Sequence, residues 1–145
     1  MAAISVTRSR VAAVFENRSD VRSYIAGGTI DYGDPVYINT SDGKVYASAG
    51  DEAGTAVVCG YSLGKVGAGQ AVDVMHRGQL AGYDVSALDY GAAVYIADGG
   101  GLDTAAGTVS RVGGRVNGIS DASVTKIIEV DFDLSAVTCY GAGPA

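Results

Sequence analysis

The chain has no tryptophan, one histidine, two prolines, two cysteines and two methionines in 145 residues. Each scarcity removes a class of explanation. Without indole rings, a carbohydrate-binding module lacks the amphipathic aromatic surface it would lay against a sugar. With only His76, a zinc site built on paired imidazoles is not available. Cys59 and Cys139 stand far apart, with no CxxC spacing and no second histidine, which is the pattern of two reduced thiols in a protein made in the cytoplasm. Apolar runs are only a few residues long, so none has the length to span a bilayer. The opening MAAISVTRSRVAAVFENRSD has no continuous apolar block of signal-peptide length, and export by that route is not expected.

What the chain does have is glycine, 22 residues of it, in a composition 48% hydrophobic and 18% charged. Apolar content this high with modest charge belongs to a folding chain rather than a disordered one. Glycine among valine, tyrosine and threonine suggests short strands joined by tight turns. The net charge of -6 is unevenly spread. Arg8, Arg10, Arg18 and Arg22 outnumber Glu16 and Asp20 before Ile25, so a basic arm precedes an acidic body. An acidic body repels phosphate backbones, and nucleic acid is not an expected partner.

The sequence repeats itself at an offset of 58 residues. DYGDPVYINTSDGKVYASAG from Asp31 returns as DYGAAVYIADGGGLDTAAGT from Asp89. The same offset aligns Val58 with Val116, Gly60 with Gly118, Val72 with Val130 and Asp73 with Asp131. This predicts a tandem duplication, with units at 26–80 and 84–136 in a β domain spanning 26–145, after an arm of residues 1–25. Each unit carries a β-rich run (PVYIN or AVYIA), a glycine turn, a second short strand, and two further apolar runs. Asp42-Gly43 favours a tight hairpin. No long helical period is present; ENRSDVRSY has the makings of a single helical turn. A sheet of about four short strands is marginal alone, so the units are expected to share a core.

A search for reactive groups returns none. His76 has no nucleophile or orienting acid in strand register, since Asp73 would face the other way. Asp73 and Asp131 lie inside strand-like runs and read as outward-facing carboxylates rather than a shared acid site. The glycine loops match neither a Walker A loop nor a dinucleotide fingerprint, and SAGDEAG lacks EF-hand spacing. No catalytic residue, cofactor or metal is therefore expected.

The first copy, with Gly28, Ile30, Gly33, Asp34, Val36, Tyr37, Asp42, Gly43, Lys44 and Val45, resembles the capsid decoration (cement) proteins of tailed bacteriophages. The second keeps Leu88, Gly91, Val94, Tyr95 and Gly101, while Asp34 and Lys44 become Ala92 and Leu102. The resemblance implies an all-β, compact β-tulip or barrel-like body with an extended N-terminal arm. It implies a homotrimer on the outer face of a virion, made in the host cytoplasm, that cements neighbouring major capsid proteins. It implies no enzymatic activity and no membrane partner. The arm residues expected at the capsid or subunit interface are Ile4, Val6, Arg8, Arg10, Val11, Val14 and Phe15. Such a segment either pairs with its own body or adds to the sheet edge of another molecule. The alternative is another virion module or a host-surface carbohydrate-binding β module.

Overall fold

The computed structural model describes residues 3–14, 19–118, 126–136 and 139–144. Among these the protein is all-β, apart from one 3-10 turn at Arg8–Arg10. The strands are β1 (Ala12–Ala13), β2 (Asp20–Ile25), β3 (Pro35–Asn39), β4 (Val45–Ala47), β5 (Gly60–Ser62) and β6 (Ala71–Ala81). They continue with β7 (Ala93–Ile96), β8 (Leu102–Asp103), β9 (Val112–Asn117), β10 (Ile127–Asp131) and β11 (Tyr140–Gly141). They form one sheet curled like half a barrel, antiparallel except where β11 runs parallel to β3.

The long strand β6 organises everything else. At Met75 its two flanks are taken by Tyr61 of β5 and Val21 of β2; at Leu80 they are taken by Ile128 of β10 and Ala13 of β1. The strand serves two cores: alternate side chains leave a strand on opposite faces, and a bulge at His76, where Val21 faces Met75 and Asp20 faces Arg77, resets the alternation so that Leu80 falls on the side of Met75. Val72 and Val74 join a cluster with Ile30, Val36, Ile38 and Val45. Met75 and Leu80 join a larger one with Tyr61, Val94, Ile96, Leu102, Val116 and Ile128. The larger cluster draws on both halves of the chain, so the one sheet curls over an interior that both halves share.

Within each half the pairings follow one order. β3 forms a hairpin with β4 and also pairs with β5, which pairs with β6; β7 forms a hairpin with β8 and pairs with β9, which pairs with β10. The uniform 58-residue offset does not survive in this register. Val36 faces Gly60, whereas Val94 faces Gly114 rather than Gly118. The hairpins differ as well. Ile38 faces Val45, but Ile96 faces Leu102 instead of Asp103, because the second turn, with Gly99, Gly100 and Gly101 all at positive φ, is one residue tighter.

The ENRSDVRSY stretch, expected to offer a helical turn, supplies β2 from Asp20 onward; pairing to β6 overrides a weak local preference. The cysteines also depart from expectation. Cys59 and Cys139 form a disulfide across 80 residues, with Cα atoms 4.2 Å apart. Their sequence separation concealed this contact: β11 lies against β3, and Cys139, just before β11, thereby meets Cys59, just before β5.

Candidate interaction surface

The segment expected to reach outward lies along its own body. The Ile4 amide donates to the Leu102 carbonyl at 3.0 Å, the Thr7 amide to Gly82 at 2.8 Å and the Val14 amide to Gln79 at 2.9 Å. Ala12 and Ala13 then pair with Ala81 and Leu80. The alternation in the sequence is real: Ile4 is buried and Val6 and Arg8 are half-buried, while Ser5, Thr7 and Ser9 are exposed. Its apolar side, however, is spent on the protein's own core, where Ile4 and Val11 belong to the larger cluster. The extended arm is thus a strap across both halves. Val14 is half-buried, Arg10 is exposed, and Phe15 lies outside the described residues.

Arg8 finds its acid partner within the chain. One guanidinium nitrogen is 2.6 Å from Asp34 Oδ1 and donates to the Tyr32 carbonyl at 2.7 Å, with Asp31 3.9 Å away. Partial burial works against the Arg8 charge, but the hydrogen bond and attraction of Asp34 outweigh it, and its pKa is raised. Asp34 also accepts from the Asp31 amide at 2.9 Å, so this carboxylate closes the 31–34 turn as well as fastening the strap. Beside it the Tyr83 hydroxyl donates to the Gly33 carbonyl, and burial pushes the phenol's pKa far up.

His76 is fully buried. Its Nδ1 is 2.7 Å from the Cys59 carbonyl, so that nitrogen carries the proton, and Nε2 accepts from the Tyr24 hydroxyl at 2.9 Å. Burial lowers the His76 pKa and raises that of Tyr24. This satisfied triad ties β2, β6 and the disulfide together, with the Cys59 sulfur 3.6 Å from His76 Nδ1. Asp73 and Asp131 are both exposed; Asp73 accepts from the Ser23 hydroxyl at 2.6 Å and Asp131 meets Arg77 at 2.7 Å. Among the described residues no three His, Cys, Asp or Glu side chains cluster as metal ligands, and no helix is long and apolar enough to cross a membrane.

Two shallow clefts flank the strap. One, of about 470 Å³, is lined by Val11, Ala12, Ala13, Val21, Leu63 and Asp73. The other, of about 430 Å³, runs past Arg10, Ala81, Asp84 and Lys126. Strand β2 adjoins the first cleft and is unusually exposed for a strand carrying apolar residues: Val21 is 39% and Ile25 44% exposed. Sequence reading did not single it out, although the alternation in DVRSYI, with Val21, Ser23 and Ile25 against Arg22 and Tyr24, was the available signal. No protein-family model and no curated protein matches this chain.

Proposed function

We propose that this chain is a structural virion protein that sits on the outer face of a tailed-phage capsid and cements neighbouring major capsid proteins as a homotrimer. The supporting observation is where the phrase shared with decoration proteins falls. Gly33, with φ of 80°, and Asp34 form the turn before β3, and Gly43, with φ of 72°, turns the β3–β4 hairpin. Asp42 steadies that hairpin by accepting from the Lys44 amide at 2.9 Å and the Tyr46 hydroxyl at 2.7 Å. The shared residues thus serve a rigid frame, and a rigid frame is what bridging two capsid subunits demands. A tightly hydrogen-bonded platform binds without losing much conformational entropy.

On this reading the strap contributes its exposed side rather than its apolar one. Arg10 faces acidic groups of the capsid protein, favouring orientation and association rate more than affinity. The test is cosedimentation of the purified protein with expanded, DNA-free heads of the parent phage. Saturable binding is expected, with Arg10→Glu slowing association at low salt and leaving the melting temperature unchanged. Absence of binding to such heads would sink the proposal.

A further inference from the structure

We infer that Asn117–Gly118 is a site of spontaneous covalent modification, where the folded chain deamidates itself and thereby unfastens the end of the β9–β10 ladder. The geometry at this one step carries the inference, and the capsid reading has no part in it. The chain has three asparagines, Asn17, Asn39 and Asn117, and only Asn117 is followed by glycine. Asn117 is the last residue of β9, exposed, with its backbone opposite Ile127 of β10. Its carboxamide is folded back on the next peptide: Oδ1 accepts from the Gly118 amide at 2.9 Å. The nitrogen that has to attack thus lies beside the group it attacks, and holding two reacting groups together removes much of the entropic barrier. Gly118 brings no Cβ to obstruct the approach or the backbone rotation that ring closure needs. Asn39 shows the contrast. Its Oδ1 accepts from the Ser41 amide, two residues on, at 2.8 Å, while the intervening Thr40 amide donates to the Gly141 carbonyl at 3.0 Å. The branched Thr40 side chain also crowds the peptide that would have to turn. Asn17, followed by arginine, lies outside the described residues.

The step needs water and base but no oxidant or reductant. Hydroxide removes the Gly118 amide proton, and the nitrogen's electron pair forms a bond to Asn117 Cγ. The bond from Cγ to Nδ2 breaks, and Nδ2 leaves as ammonia with a proton taken from water. The cyclic imide then takes up water at one of its two carbonyls, which yields aspartate or isoaspartate. The surroundings give this product a structural consequence. Asn117 Nδ2 donates to Glu129 Oε1 at 2.9 Å, and Gln79 Nε2 reaches the same oxygen at 3.5 Å. Deamidation replaces the Asn117 donor by a carboxylate oxygen, so a hydrogen bond between β9 and β10 becomes a like-charge contact. Arg115, opposite Glu129 in the register, donates to the Gly91 carbonyl at 3.0 Å. In the isoaspartate form the main chain also runs through an extra methylene, which moves Gly118 out of strand register.

The experiment is incubation of the full, folded chain in mildly alkaline buffer, followed by tryptic mass mapping. The peptide from Val116 to Lys126 holds Asn117 and no other amide side chain, so a mass change there has one source. That peptide is expected to gain about 1 Da and to separate into aspartate and isoaspartate forms, while the peptide holding Asn39 keeps its mass. Gly118→Ala is expected to slow the gain roughly tenfold. Asn117→Asp installs the product carboxylate directly and is expected to lower the melting temperature by about 2 °C or more. Adding Glu129→Gln to that variant should recover most of the loss, because it removes the second carboxylate. The modification site is overturned if Asn117 keeps its mass in the folded chain while the same chain in urea gains it. It is equally overturned if Asn39 reacts as fast, or if Gly118→Ala leaves the rate unchanged. The loosening of the ladder is overturned if Asn117→Asp melts with the native chain, or if Glu129→Gln recovers nothing.

Discussion

At His76 the chemistry is set by what surrounds the ring. It is held neutral between the Cys59 carbonyl and the Tyr24 hydroxyl, with its pKa lowered by burial from an ordinary value of 6.5. The unfolded chain therefore takes up the proton more readily than the folded one. Stability from this group is complete above about pH 6.5 and is lost as pH falls from there toward the depressed value, at no more than about 1.4 kcal/mol per pH unit. Thermal melts from pH 7.5 to 5 should show the loss, and His76→Gln should flatten it while lowering the melting temperature throughout. Gly60 is constrained differently. A Cβ there would lie 2.5 Å from the Met75 carbonyl oxygen, and one at Gly114 would lie 2.9 Å from that of Glu129. Each glycine lets its strand approach the next, and Gly60→Ala is expected to cost about 1–3 kcal/mol in chemical denaturation.

Among the elements, the strap changes the meaning of the N-terminus. Because Ile4 and Val11 fill the larger core and backbone hydrogen bonds and bridges fix the segment to β6, β8 and the Gly82 turn, removing residues 2–14 should destabilise the body itself. Ile4→Ala alone is expected to cost about 2–3 kcal/mol, whereas Ser5→Ala, on the exposed side, should cost almost nothing. Equal, negligible effects from both would mean the segment is not seated. Which elements were strands was largely legible, because PVYIN, AVYIA and KIIEVDFDL combine β-branched residues with turn chemistry at their ends. The strap's alternation was legible too, but not the surface that receives it. That surface is assembled from Leu102, Tyr83 and Leu80, residues from two halves of the chain. The disulfide was hidden for the same reason, since contact between Cys59 and Cys139 depends on β11 finding β3. Replacing both cysteines by serine should lower stability by about 2–5 kcal/mol, read by denaturant melts.

Across the described residues there are two hydrophobic clusters, and β6 contributes to both. Val72 and Val74 face one cluster while Met75 and Leu80 face the other, and the four belong to the same strand. Loss of β6 opens both clusters at once, and the loop about Asp51 adds a further tie by accepting from the Gly99 amide in the opposite half. The repeated phrase suggests two modules, yet the shared strand predicts one cooperative unit. Calorimetry should give a single transition whose van't Hoff and calorimetric enthalpies agree. Val74→Ala and Met75→Ala should each shift that one midpoint, though their side chains enter different cores, by about 1–4 kcal/mol. Hydrogen exchange should then find amides of β3 and β9 losing protection together in either variant. If Val74→Ala loosens β3 and leaves β9 protected, the halves open separately, and the sharing of β6 does not couple them.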